Sequence, residues 1–314
     1  RYHFYQRSFE EIISARNILN SSLLSLNQSK ARMEAGVGSK LDVLEATAQL
    51  ARDDQFLEEK KEDFLNYEVS LKEILNLKKD FEIEKKHGLI GYWNHTLKSS
   101  LKNGLEKSFT LKNIKFQKSL KVNESNILLN DNKPFIYISN TFSSSFARGS
   151  ELSPTIDLDE KESSYSNIIG LNLSWNIFDG GESKNSAKSK FAESEAEEFK
   201  STNLTNILKK DIIDSYSKLR LSKKRLLSSK KEFDATKESL NLSRLRYESG
   251  ITNLRELINI QKDLAKSREN KISAVTNYNL TLDNLERLTG LKMSANCFEN
   301  NALLNKEYLN TICN

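Results

Sequence analysis

With 314 residues the chain is long enough for two ordinary domains, yet only 11 Gly and 2 Pro punctuate it, so long uninterrupted elements are expected. Charged residues at 29% against hydrophobic ones at 37% suit elongated helices with wet faces better than a compact globule with a thick core. The 48 basic and 43 acidic residues read as interleaved, and a net charge of +5 without a basic stripe points to a solvated surface and away from nucleic acid.

Catalysis has no constellation to rest on, and neither a cofactor nor a metal site is expected. His3, His87 and His95 are scattered, no Gly-rich phosphate loop occurs, and no Ser or Cys has a base at a suitable spacing. Cys297 and Cys313 lie outside every periodic segment and fit either a disulfide or two free thiols. No apolar run reaches the roughly 18 residues of a membrane helix, which leaves only β-strands as candidate spans.

Residues 1–77 predict a helical hairpin. Large apolar residues recur every seven positions at Tyr5, Ile12, Leu19, Leu26 and Met33, and three residues after the first four of these comes a small one: Ser8, Ala15, Ser22 and Ser29. A strict heptad keeps one seam facing a partner only if the helix supercoils left-handedly, and small residues on the seam let backbones approach closely. Gly36-Val37-Gly38-Ser39 makes the turn, with Gly as left-handed C-cap and Ser39 as the next N-cap. The returning helix carries its own apolar spacing at Leu41, Leu44, Ala48 and Ala51. Residues 78–96 read as a linker with some structure of its own, and 97–132 as helix.

Within 133–181 the period becomes two. In 135–146, Ile136, Ile138, Phe142 and Phe146 oppose Ser139, Thr141, Ser143 and Ser145; in 167–178, Ile169, Leu171, Leu173, Trp175 and Ile177 alternate with Asn172, Ser174 and Asn176. Each segment is about one membrane crossing long, apolar on one face and hydroxyl- or amide-bearing on the other, as a water-filled barrel requires. A soluble hairpin with one buried face is the alternative. The connection 147–166, rich in acids, is expected to be an extracellular loop.

Residues 182–290 repeat the first hairpin. Arg32-Met33-Glu34-Ala35-Gly36-Val37, followed by Asp42-Val43-Leu44, realigns 214 residues later as Arg246-Tyr247-Glu248-Ser249-Gly250-Ile251, followed by Glu256-Leu257-Ile258. The heptad continues upstream through Ile212, Leu219, Leu226, Phe233 and Leu240, each followed by a small residue three positions on. The returning helix is apolar at Leu254, Leu257, Leu264, Val275, Tyr278, Leu282 and Leu285. An uninterrupted helix from about 183 to 249 would be roughly 100 Å long, more than a bilayer's thickness, and so would project through an aqueous compartment. Repeat arithmetic leads us to expect roughly 117 further positions before Arg1, and residues 291–314 read as a tail.

Leu171 through Gly181, the two tip motifs at Arg32–Ala46 and Arg246–Ile258, and Asn277-Tyr278 through Gly290 resemble TolC-like outer-membrane factors. The resemblance implies a mainly α fold with a small β part, its long antiparallel coiled-coil hairpins in tandem repeat. Each protomer would give four transmembrane strands, two of them visible here and two expected before Arg1, to a twelve-stranded barrel shared by a homotrimer, whose closure removes the strand edges. It further implies an outer-membrane channel with a periplasmic helical tunnel, a periplasmic adaptor and an inner-membrane pump as partners, and export of drugs or proteins by tripartite efflux or type I secretion. Carried over by position, Asp42, Tyr247 and Glu256 occupy gate or constriction positions. Thr252 stands where a gate Arg is common, and Asn259 where a second carboxylate would lie. Gly36, Gly250, Arg32 and Arg246 mark hairpin tips expected to meet the adaptor. Asp42 and Glu256 as ordinary first-turn acids at helix N-termini is the competing reading. For the whole chain the competing reading is a soluble coiled-coil scaffold or periplasmic adaptor.

Overall fold

The computed structural model describes residues 1–76, 88–149 and 160–294. In chain order they form α1 (Tyr2–Glu34), α2 (Lys40–Leu75), α3 (Leu97–Lys107), α4 (Phe109–Asn130), β1 (Phe135–Gly149), β2 (Glu160–Ser174), α5 (Glu182–Glu248) and α6 (Leu254–Thr289). They fall into two units, one of residues 1–108 with 207–314 and one of residues 109–206, with α5 contributing to both. Cys297 and Cys313 lie outside the described residues, as does most of the linker expected at 78–96.

In the first unit the heptad seam forms as its spacing dictates. Tyr5 and Leu26 on α1, and Ile212, Leu219, Leu226, Leu240 and Tyr247 on α5, are buried. The small positions are buried more consistently still: Ser8, Ala15, Ser22 and Ser29 on α1 and Ser215, Ser222, Ser229 and Ser243 on α5. Several hydroxyls on this line are satisfied by their own helix. Ser8 donates to the Tyr5 carbonyl (2.8 Å), Ser222 to Leu219 (2.9 Å) and Ser229 to Leu226 (3.1 Å), which lets a polar residue act as a small spacer at a close helix contact.

Both turns end in the same motif. Gly36 and Gly250 have φ of 77° and 72°, and the amides of Val37 and Ile251 reach back to the carbonyls of Arg32 and Arg246 at 3.0 and 2.9 Å, a Schellman closure that needs a left-handed residue. Ser39 and Asn253 then cap α2 and α6.

One expected face is corrected. Leu41 and Leu44 of α2 are 59% and 57% exposed, and Ala48 and Ala51 are exposed too. The buried face of α2 carries Ala46, Gln49, Asp53 and Leu57, because its polar members find partners: Asp53 accepts from the Ser22 hydroxyl of α1 and from the Gln49 amide (2.8 Å). On α6 the expected face holds, with Leu254, Leu257, Tyr278, Leu282 and Leu285 fully buried.

The helix expected over 97–132 is two helices, interrupted at Ser108, whose extended ψ of 116° caps α3. At Gly104 a Cβ would come within 2.5 Å of Ile212 Cδ1 and 3.0 Å of the Leu288 carbonyl, so α3 sits against α5 and α6 at a distance only Gly allows. The segment after Gly88 is tied to α6. Asn279 Nδ2 donates to the Gly88 carbonyl (2.7 Å), Tyr278 to Gly91 (3.1 Å), and Tyr92 pairs with Ser294 as an antiparallel bridge.

In the second unit α4 pairs with the first part of α5 through Ser125 Oγ donating to the Ala187 carbonyl (2.8 Å) and Lys121 bridging Glu124 and Glu193 (3.0 and 3.1 Å). β1 and β2 form one antiparallel hairpin with Phe135 opposite Ser174 and Gly149 opposite Glu160. The strands therefore reach further than the alternation suggested, and residues 147–149 and 160–166 of the expected loop are strand. Trp175 and Ile177 fall past the end of β2, where the Trp175 indole donates instead to the Asn132 carbonyl (3.2 Å).

Candidate functional site

Two features of the chain bear on function: the faces of the β hairpin and the pair of hairpin tips. The register places Ile136 opposite Leu173, Ile138 opposite Leu171, and Phe142 opposite Asn167, so these share one face with Ile169 and Phe146. Its other face pairs Ser143 with Ser166 and Ser145 with Ser164, the latter hydroxyls 2.7 Å apart, and joins Asn172 to Ser139 at 2.9 Å. Among the described residues nothing covers the apolar face, and Ile138 and Leu171 are 77% and 76% exposed. Tyr165 also lies on it, a contribution hidden in sequence because 160–166 reads as loop. No helix among the described residues is long and apolar enough to cross a membrane.

Just past β2, Asp179 turns the chain into α5. It accepts from the amides of Gly181 (2.8 Å) and Ser183 (2.9 Å). The Ser183 hydroxyl, then these amides, hold its carboxyl down at about 2.

At the tips the sequence-predicted residues are brought close, but with different partners from those expected. Tyr247 is only 3% exposed, packed with Leu26, Ala46, Leu254 and Leu257, and its hydroxyl lies 3.2 Å from Ser29 Oγ. Arg32 stacks over its ring at 5.0 Å and donates to the Tyr247 carbonyl (2.9 Å), a cation at the C-terminal end of α5 where the helix dipole favours one. Arg32 is thus engaged inside the protomer. Its repeat equivalent Arg246 instead faces Glu256 at 3.5 Å.

Asp42 and Glu256 occupy matching cap positions. Asp42 accepts from the Ser39 amide (3.2 Å) while its own amide donates to Ser39 Oγ (3.1 Å), and the Glu256 amide donates to Asn253 Oδ1 (2.9 Å). Glu256 Oε2 also takes the Thr252 hydroxyl. Among the hydrogen bonds of the described residues none joins Asp42 to Tyr247. Asn259 is exposed, one turn along from Glu256.

Sequence reasoning missed an ion pair that crosses between the hairpins: Arg255 Nη2 of α6 lies 2.5 Å from Glu45 Oε1 of α2. The repeat contains the signal, since the 214-residue offset equates Glu45 with Asn259. The carboxylate absent from the second copy is present in the first. A further cross-link joins Gln28 to Glu248 at 2.9 Å.

Comparison with solved structures gives a membrane protein from Pseudomonas aeruginosa at TM-score 0.69 and 17% identity, covering 92% of this chain and 65% of the other. The outer-membrane channel OprN follows at 0.70, 16%, 92% and 64%, and the outer membrane protein VceC from Vibrio cholerae at 0.64, 12%, 93% and 68%. At such identities the likeness is one of fold, and the chain spans less than two thirds of the length of the first two. No curated protein sequence matches it. A family model does, the outer membrane efflux protein, over residues 139–291, which include β2, all of α5 and α6 and most of β1. The TolC-like resemblance of the motifs is thereby borne out, with residues 139–291 similar to the outer membrane efflux protein family.

Proposed function

We propose that the protein is a protomer of an outer-membrane exit duct, in which copies pool their β hairpins into one closed barrel and their helical hairpins into a periplasmic tunnel. The observation that carries this reading is the β hairpin, apolar and uncovered on one face and lined with hydroxyls and amides on the other. In water the apolar face is a liability; in a bilayer it is the lipid-facing side, and the polar face borders an aqueous lumen. A two-stranded sheet also has two open edges that lipid cannot satisfy, so barrel closure by further copies, a homotrimer by family resemblance, completes the hydrogen bonding. An adaptor and an inner-membrane pump are the partners that reading implies, with efflux of small molecules or secretion of proteins as its work.

The gate belongs to the hairpin tips. Glu256, with Thr252 and Arg246 around it, is the constriction residue of this reading, symmetry-related copies concentrating negative potential that favours cations. Asn259 and Asp42 flank it, and Tyr247 serves from within as the packing post that sets the tip. Arg255 and Glu45 form the latch between hairpins.

Fractionation tests the reading. The protein is expected in the outer membrane, extractable only with detergent and migrating as a trimer, and its deletion is expected to raise drug susceptibility or abolish secretion of a protein substrate. Recovery in the soluble fraction as a monomer or helical dimer would favour the coiled-coil scaffold instead.

A further inference from the structure

Where α1, α2, α5 and α6 meet, they enclose a cavity of about 270 Å³, near the small end of the range for ligand sites, about 300–1,000 Å³. Phe56, Leu240 and Leu264 give it apolar walls, and Arg244, Lys262 and Arg268 bring three cations to it. None of the three forms an ion pair with a described carboxylate. Arg244 donates to Ser21 Oγ at 3.3 Å, and Arg268 lies 5.5 Å from the Phe233 ring centre. Burial pushes the Arg268 guanidinium's pKa down, with the charge of Glu10 opposing.

Asp53, the carboxylate that lines the cavity, offsets part of this charge. It is 8% exposed and already taken up by the Ser22 hydroxyl and the Gln49 amide. Gln261 donates to Ser21 and Ser25 at 3.1 and 2.9 Å, while its Oε1 is buried without a partner. The cavity therefore offers a surplus of cationic charge, three cations against one lining carboxylate, together with apolar wall and one unused acceptor.

We propose that this cavity binds an amphipathic organic anion, a single carboxylate or sulfate head on an apolar tail. The head takes its place among Arg244, Lys262 and Arg268, where partial desolvation strengthens the attraction, and the tail lies on Phe56, Leu240 and Leu264. A hydroxyl on the tail would satisfy Gln261 Oε1. Because the walls come from both helical hairpins, an occupant touches both and holds them at a fixed separation. The inference goes beyond the channel reading and does not depend on it.

Calorimetric titration of the purified protein in nonionic detergent, with decanoate as probe, tests it. One saturable site per chain is expected, at least tenfold weaker for Arg244→Gln and Arg268→Gln, with decanol binding at least tenfold more weakly than decanoate. Lys262→Gln, at an exposed position, makes the same test if an Arg variant does not fold, folding being checked by helical circular dichroism. Absence of saturable decanoate binding, equal binding of decanol, or folded variants with unchanged affinity would overturn the proposal. A protein that conducts ions yet binds no decanoate overturns this site and leaves the duct standing.

Discussion

Glu256 is where a structural role and the proposed functional one meet in one side chain. Its backbone amide completes the Asn253 cap, while its carboxylate is free to take Thr252 and to face Arg246 at 3.5 Å. A first-turn acid helps its own helix by about 0.3–1 kcal/mol, whereas a ring of such acids would set ion preference. Glu256→Gln separates these roles: cation selectivity in single-channel recordings is expected to fall, and unchanged selectivity would reduce Glu256 to a cap acid. Asp179 gives a second residue-scale test. Its folded pKa of about 2 lies below the ordinary 3.8, so its stabilisation of the α5 start is present above the ordinary value and lost as pH falls from there through the folded one. Protection of the Gly181 and Ser183 amides, the slowing of exchange relative to an unstructured chain at the same pH, is expected to hold at neutral pH and to fall as pH drops below 3.8 toward about 2, while Asp179→Ala lacks it throughout. Caps and left-handed Gly positions were legible because each depends on a few adjacent residues. The partners of Tyr247, Arg32 and Arg255 were not, because they lie more than 200 positions away in the chain.

The strands and hairpins carry their own tests. Alternation over Ile136–Phe146 was readable because a period of two assigns faces whatever the strand's length. Strand ends were not, since Ser and Glu residues at 160–166 look like loop until they pair with β1. Ile138→Arg is expected to block stable assembly in the membrane, costing about 2–4 kcal/mol if the site lies near the bilayer midplane. Ser143→Arg, on the opposite face, is expected to assemble normally; equal loss from both, measured as detergent-extracted oligomer, would contradict the face assignment. For α2 the sequence reading picked the stripe of Leu41, Leu44, Ala48 and Ala51, and the pairing of Asp53 with Ser22 turns a different one inward. The charge pattern was also less even than its totals suggest, for residues 215–231 of α5 hold seven basic residues and no acid. Between the hairpins, an exposed pair such as Arg255–Glu45 is worth about 0–1 kcal/mol, small enough to open and close. Arg255→Glu is expected to raise the open fraction of the channel, and the double reversal with Glu45→Arg to restore it.

At the scale of the whole molecule, the repeat was the most legible feature. A 214-residue offset preserved both tips, both caps and the small-residue seam, because each copy must solve the same problem of two helices turning sharply and packing closely. What the repeat could not convey is its asymmetry. Arg32 is absorbed into the protomer while Arg246 faces an acid. Such a difference is what a wall built from two unlike hairpins requires if only one of them is to line a constriction. The most direct test of the duct is conductance of the purified protein in planar lipid bilayers. Discrete, long-lived steps with a preference for cations are expected. Failure to produce any step, with the protein remaining in the aqueous phase, would contradict it.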